Sequence, residues 1–152
     1  MNRNDDEKWK VINFAKTAFE SCPVPSFMDE DCGSVECIQK ALGSEFFIDL
    51  NSLMYHLENE EIKFFIPYAM EYHLFKSSHP DAEWHLEHWL MFWTSFEYST
   101  PQIKERFRSC YASLNHSQRM SMCMFLKLVL NLRLVEMHSE MRQGIEYWCG
   151  KP

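Results

Sequence analysis

Two histidines and two glutamates lie close together in the segment Glu83-Trp84-His85-Leu86-Glu87-His88. Histidine nitrogens three residues apart on a helix can reach one metal ion, so His85 and His88 are the first candidates for a metal site. Helical geometry, however, turns them about 60° apart, with His85 beside the apolar side and His88 at the polar edge. No cysteine or carboxylate at a matching spacing completes a four-ligand set. The pattern favours one buried, hydrogen-bonded histidine and one surface histidine, with no metal and no cofactor.

The six cysteines offer a second possible chemistry, that of a thiol nucleophile. Cys22, Cys32 and Cys37 lie in or near predicted loops, where a thiol could pair with a distant histidine such as His56 or His79. The cysteines show no Cys-x-x-Cys spacing, and the N-terminal residues contain no apolar segment typical of an export signal. We therefore expect six reduced thiols in a cytoplasmic protein.

Standard catalytic motifs are not found in the sequence. It contains no glycine-rich phosphate loop, no Gly-x-Ser-x-Gly and no His-Glu-x-x-His. We therefore predict that the protein is not an enzyme, with a small metal-dependent or thiol-dependent enzyme as the alternative.

Basic residues are concentrated in the second part of the chain, where Lys104, Arg106, Arg108 and Arg119 could contact phosphates. The sequence pI of about 5.5 opposes phosphate binding by the chain as a whole. A solvated helix surface accounts for these residues, so we expect no nucleic-acid partner.

Charge is distributed unevenly along the 152 residues. Residues 1–100 contain 7 Lys or Arg and 18 Asp or Glu, a net charge of -11, whereas residues 101–152 contain 8 and 4, a net charge of +4. Acidic residues gather at helix beginnings and loop tips, where binding residues are common. Because a surface of one sign attracts a surface of the other, the acidic first part predicts a protein partner with a basic surface.

An apolar component adds to these carboxylates. Trp84 and Met91 project toward the otherwise polar side of their helix, and an exposed aromatic side chain beside carboxylates is typical of an interface hot spot. The predicted partner-binding residues are Asp29, Glu30, Asp31, Glu58, Glu60, Glu61, Glu83, Trp84, Glu87, His88 and Met91. We therefore expect a non-catalytic inhibitor, such as a bacterial immunity protein or a phage-borne inhibitor. A self-associating structural or regulatory domain is a further alternative.

Helical periodicity dominates the chain, and the 4 glycines are too few for an architecture with many hairpins. We predict an all-α, single-domain bundle of six or seven helices over residues 1–144, followed by a C-terminal tail over 145–152. The predicted helices cover 5–20, 34–42, 49–57, 60–76, 80–96, a segment that starts at 99–102, and 117–142. The last helix is apolar but contains Lys127, Asn131 and Arg133, so we expect no membrane span.

The central helix predicted over 60–76 is apolar on nearly all sides and contains Pro67, which should kink it by removing one hydrogen-bond donor. Its segment Phe64-Phe65-Ile66-Pro67-Tyr68-Ala69-Met70, together with Leu114-Asn115-His116-Ser117-Gln118, resembles a family of small bacterial all-helical proteins catalogued as a domain of unknown function. The resemblance covers about residues 43–132. It implies a bacterial or phage-borne helical domain and no particular activity.

Overall fold

Helices account for every regular element of the computed structural model, which describes residues 2–94, 100–136 and 139–150. The predicted all-α class is therefore confirmed. None of the described helices is long and apolar enough to cross a membrane. The described ranges contain eight α-helices and one π-helical turn, which are, in chain order, α1 Arg3–Ala18, α2 Val35–Leu42, α3 Phe46–Leu53, α4 Asn59–Glu71, the π-helical turn Tyr72–Lys76, α5 Ala82–Thr94, α6 Pro101–Ser113, α7 His116–Leu132 and α8 Ser139–Cys149.

Polar side chains determine where α2 and α7 begin. The Ser34 Oγ accepts a hydrogen bond from the Cys37 N–H at 3.0 Å. At α7, the side chains of Asn115 and Gln118 each accept from the backbone N–H of the other at 2.9 Å, which forms a reciprocal capping box. These bonds satisfy N–H groups that the first turn of a helix leaves unpaired. The observed first residues, Val35 and His116, each lie within one residue of the predicted helix starts at 34 and 117.

Helix α4 is buried on nearly all sides, as its composition predicts. It packs against α1, α2 and α6. Its most deeply buried side chains, each with 2% or less of its surface exposed, are Ile62, Phe65, Ile66, Ala69 and Met70. This helix is therefore the central element of the hydrophobic core.

Two charged residues of α4 are buried with it, and each has a partner on another helix. The Lys63 Nζ donates to the Ser113 carbonyl of α6 and to the Glu60 carboxylate, both at 3.0 Å. At the other end of α4, the Glu71 Oε1 accepts from the Lys16 Nζ of α1 at 2.7 Å. Because an unpaired buried charge is strongly destabilising, these bonds restrict how α4 can rotate between α1 and α6.

The chain leaves α4 through the π-helical turn, where the Ser77 N–H donates to the Tyr72 carbonyl at 2.9 Å. The sequence predicts one continuous helix over 60–76, because the apolar pattern does not reveal a one-residue widening of the turn. The π-helical turn places the His73 ring against the Trp89 ring of α5, with the ring centroids 5.5 Å apart. Such turns occur frequently near functional sites.

The single helix predicted over 117–142 is two helices in the structure. Helix α7 ends at Leu132, because Arg133 has a left-handed backbone conformation with a φ of 52°. The chain then begins α8 at Ser139. This additional helix explains why the described ranges contain more than the six or seven helices predicted.

Residues 145–149, which the sequence places in a tail, belong to α8. Ile145 and Trp148 are buried, and the Trp148 Nε1–H donates to the Trp93 carbonyl of α5 at 2.7 Å. The last two residues lie outside the described ranges. The prediction places the tail after residue 144 because glycine commonly follows the end of a helix, whereas Gly144 lies inside α8.

Replacing Phe65 by Ala tests the central position of α4. Phe65 is 0% exposed, so we expect Phe65→Ala to lower the free energy of unfolding by about 3–5 kcal/mol, measured by urea denaturation. The matched control is Phe14→Ala on α1, where the side chain is 38% exposed and the loss should stay below about 1 kcal/mol. Equal losses for the two variants would show that α4 is not the centre of the core.

Replacing Gly144 by Ala tests the close packing of α8 on α5. A Cβ at Gly144 would lie 2.5 Å from the Cα and the carbonyl oxygen of Thr94, and these backbone atoms cannot rotate away. In an open helix, Gly→Ala stabilises by about 1 kcal/mol, but here we expect a destabilisation of about 1–3 kcal/mol in urea unfolding. As a control, Gly33→Ala, whose nearest neighbouring atom is 3.8 Å away, should change stability by less than about 0.5 kcal/mol. A stabilised Gly144→Ala protein would contradict this packing.

Candidate functional site

Helix α5 presents a mixed apolar and charged surface to solvent. Trp84, His88 and Met91 are spaced so that they lie on one side of the helix. Trp84 is 58% exposed and Met91 is 46% exposed, and the Trp84 ring lies edge-on to the His88 ring with the centroids 5.0 Å apart. Glu83 is exposed and Glu87 is half-buried on the same helix. We call these five predicted partner-binding residues the α5 face.

A second predicted group, Asp29, Glu30 and Asp31, forms an exposed loop before α2, which we call the acidic loop. Met28 and Cys32 are buried on either side of it, and the Cys32 N–H donates to the Asp29 carbonyl at 3.0 Å. The loop is therefore held at both ends. A loop that is already ordered loses less conformational entropy when a partner binds.

Phe27, which precedes the acidic loop, is a residue that the sequence prediction missed. It is 48% exposed, and its ring lies 6.4 Å from the Phe65 ring, centroid to centroid. The sequence feature that could have identified Phe27 is the presence of an aromatic residue within a polar loop segment. Phe27 gives the acidic loop an exposed apolar neighbour, as Trp84 does for the α5 face.

The third predicted group, Glu58, Glu60 and Glu61, has structural roles at the beginning of α4. The Glu61 Oε1 accepts from the Glu58 N–H at 2.8 Å in a capping box. Glu60 accepts from the buried Lys63 at 3.0 Å. These hydrogen bonds explain the acidic residues at the beginning of α4 without a partner protein. The α5 face and the acidic loop are therefore the stronger candidates for a binding surface.

Two of the basic residues considered as phosphate contacts bind groups within the chain. Arg106 of α6 donates to the carbonyls of Met54 and Leu57 at 2.7 and 2.6 Å. The Arg119 guanidinium lies 4.2 Å from the centroid of the Tyr111 ring and donates to the Tyr111 carbonyl at 3.1 Å. Binding phosphate through these side chains would disrupt those contacts.

The histidines are arranged differently from the predicted pair. His85 lies near His79 and Asp81, with one potential ligand atom from each residue within 4.8 Å of the others, whereas His88 belongs to the α5 face. The His85 Nε2 is shielded from solvent and has no hydrogen-bond partner within the described ranges, and His85 as a whole is half-buried, so the prediction of a buried, hydrogen-bonded histidine is not confirmed at this nitrogen. Shielding from solvent and, to a lesser extent, the neighbouring His85 lower the pKa of His73 from 6.5 to about 3.

Four of the six cysteines form disulfide bonds, Cys32–Cys37 and Cys123–Cys149, so the prediction of six reduced thiols is wrong. The paired Cα atoms are 5.6 and 5.2 Å apart, within the usual range for disulfides. The second pair is separated by 26 residues in sequence and meets because α8 packs against α7. Cysteine spacing alone could not reveal that packing.

The remaining thiols, Cys22 and Cys110, are buried. Burial raises the pKa of Cys22 and raises that of Cys110 from 9.0 to about 11. Because the thiolate is the nucleophilic form, these shifts oppose reactivity at both residues. Cys32 and Cys37 are bonded to each other, so neither has a free thiol.

Comparison with known protein families, with curated proteins and with solved structures finds no match to this chain. The resemblance to a family of small bacterial helical proteins therefore stays a prediction.

Thiol titration tests the disulfides and the buried cysteines together. In denaturant without reductant, we expect two reactive thiols per chain rather than six. In the native protein at pH 8, labelling should be slow, because a pKa of about 11 leaves only about 0.1% of Cys110 as thiolate, about a hundredfold less than a pKa of 9.0 would. Reduction before denaturation is the control and should expose all six thiols. Six thiols without reductant would contradict both disulfides.

Proposed function

We propose that this protein is a non-catalytic binding protein that docks an acidic helical surface on a basic protein partner and inhibits it by occlusion. A bacterial immunity protein that masks a toxin and a phage-borne inhibitor of a defence protein are its concrete forms. The observation that carries the proposal is the α5 face, where Trp84 and Met91 are exposed among charged and polar side chains.

The exposure of these two side chains favours an interface. A tryptophan with more than half of its surface in water contributes little to the free energy of folding. A partner that covers this surface gains about 25 cal/mol of binding free energy for each Å² of apolar area. Tryptophan is also enriched among the residues that dominate binding energies. Trp84 is therefore the proposed anchor, and Met91, two turns further along α5, extends the apolar contact.

Charge supports the choice of a basic partner. Residues 1–100 have a net charge of -11, and the acidic loop places three of these carboxylates in solvent on an ordered segment. Such a field accelerates the approach of a basic protein and orients it, whereas it repels nucleic acid. The carboxylates are therefore proposed to act mainly on association, and Trp84 on dissociation.

Two other functions remain as alternatives. Self-association through the α5 face would use the same apolar side chains, but two copies, each with a net charge of -7, would repel each other. A metal-dependent enzyme is favoured by one observation, the proximity of His79, Asp81 and His85.

Three further features of the chain are proposals of the same kind. We propose one domain, because buried residues from α1 to α8 join a single hydrophobic cluster. We propose a bend of α4 at Pro67, which cannot donate a hydrogen bond to the Lys63 carbonyl. We also propose a cytoplasmic location, although disulfide bonds are uncommon there.

Binding kinetics of α5-face variants, against a partner isolated by affinity capture, test the proposed function. Reversing Glu83 and Glu87 to Lys should slow association about tenfold or more at low salt, because steering depends on the summed charge. Trp84→Ala should instead speed dissociation about 30-fold, which corresponds to about 2 kcal/mol. Surface plasmon resonance at low and high salt measures both rates.

Matched variants keep the test specific. Met91→Ala should weaken binding, whereas Met120→Ala on α7, with a similar exposure of 41%, should not. Reversing the acidic loop to Lys separates its contribution from that of the α5 face, and circular dichroism checks that each variant is folded. Unchanged association after the Glu83 and Glu87 reversal, together with unchanged dissociation of Trp84→Ala, would exclude the α5 face as the interface.

A further inference from the structure

Three side chains with metal-ligating atoms meet at the beginning of α5. His79, Asp81 and His85 each offer one nitrogen or oxygen, and these three atoms lie within 4.8 Å of one another. We propose that His79, Asp81 and His85 bind one divalent transition-metal ion. This inference goes beyond the proposed binding function and does not depend on it.

Local backbone structure brings the three residues together. The Ala82 N–H donates to the His79 carbonyl at 3.1 Å, and the His85 N–H donates to the Asp81 carbonyl at 3.0 Å. Pro80 lies between His79 and Asp81 and limits the backbone conformations available there, since its ring fixes φ. Asp81 and His85 are four residues apart and therefore lie on one side of the first turn of α5. The cluster is thus built from a turn followed by a helix, a combination that histidine spacing within the helix does not reveal.

The distances are close to those of an occupied zinc site. Zinc holds histidine nitrogens and carboxylate oxygens at about 2.0–2.2 Å in a tetrahedron, which places ligand atoms about 3.3–3.5 Å from one another. The three atoms would therefore have to approach by about 1.5 Å at most. The side chains of His79 and Asp81 are 36% and 69% exposed, so they can move without disturbing the core.

Unpaired nitrogen atoms provide a second, independent observation. The His85 Nε2 is shielded from solvent and has no hydrogen-bond partner in the described part of the chain, and the same holds for both ring nitrogens of the neighbouring His73. Buried polar atoms in folded proteins nearly always have a partner, and leaving one without a partner costs about 1–3 kcal/mol. Binding a metal ion through the His85 Nε2 would give this atom the partner that it lacks.

The ligand types select the kind of metal. Two imidazoles and one carboxylate suit zinc and its transition-metal neighbours, whereas magnesium and calcium prefer oxygen ligands. The His79 Nδ1 accepts a hydrogen bond from the Asp81 N–H at 3.0 Å, which occupies the one lone pair of this nitrogen, so His79 would bind the metal through its Nε2 or after releasing this hydrogen bond. Three protein ligands leave at least one position for water, which is typical of catalytic rather than structural zinc sites.

Titration of the full chain, with both disulfides intact, tests the site. Isothermal titration calorimetry with Zn²⁺ should give one ion per chain, and Co²⁺ should give the visible absorption of a nitrogen- and oxygen-ligated site. His79→Ala and His85→Ala should each weaken Zn²⁺ binding by at least about 100-fold, because losing an outer partner of a ligand already costs 10–100-fold. Asp81→Asn, which keeps the shape but removes the charge, should weaken it about tenfold or more.

His88→Ala is the matched control, because it removes an exposed imidazole three residues from His85 but outside the cluster. Its affinity for Zn²⁺ should equal that of the unmodified protein. Circular dichroism checks folding, and if His85→Ala does not fold, His79→Ala and Asp81→Asn decide the result. The proposal is overturned if no Zn²⁺ binds, if the three ligand variants bind as tightly as His88→Ala, or if Co²⁺ shows the charge-transfer band of cysteine ligation.

Discussion

The arrangement of the bundle depends on two buried charges of α4, each of which needs a partner on a different neighbouring helix. Lys63 and Glu71 are eight residues apart, about 12 Å along the helix, and they bind groups of α6 and α1 respectively. Apolar contacts alone would tolerate several rotations of a helix that is apolar on most sides. A rotation of one residue, however, would leave a buried charge unpaired, at a cost of about 3–5 kcal/mol. The charges therefore specify one packing among several that burial of apolar surface would allow.

The connection that precedes α4 is likewise held by polar contacts to another helix. Arg106 donates to the carbonyls of Met54 and Leu57 and also to the Asn59 side chain, so one guanidinium joins α6 to the whole α3–α4 connection. Helices α3, α6 and α8 all pack against α5, and the Trp148 Nε1–H donates to the Trp93 carbonyl, so these contacts fix the inner surface of α5. Its outer surface exposes Trp84 and Met91, the two apolar side chains of the proposed interface, and the chain at its beginning brings His79, Asp81 and His85 together.

The sequence predicts features that depend on contacts between neighbouring residues, and it does not predict features that depend on packing between distant segments. The starts of α2 and α7 were predictable, because Ser34 and Asn115 bind N–H groups within three residues of themselves. The outward position of Trp84 was predictable from the helical wheel alone. The break at Arg133 was not, since neither glycine nor proline marks it, and the burial of α8 depends on contacts with α5 and α7. The cluster around His85 required the geometry of a turn, which periodicity does not describe.

The disulfide between α7 and α8 has a consequence for the fate of a cleaved chain. Cys123 lies on α7 and Cys149 on α8, and Arg133, which directly follows α7, is exposed. In the chain-entropy account, closing a loop of this length stabilises the fold by about 3.5 kcal/mol. A protease that cuts after Arg133 would thus release nothing: the C-terminal fragment would stay covalently attached, with Trp148 still in place against Trp93. Only a nick combined with reduction would separate the two pieces, so the molecule tolerates a broken backbone as long as the Cys123–Cys149 bond stays oxidised.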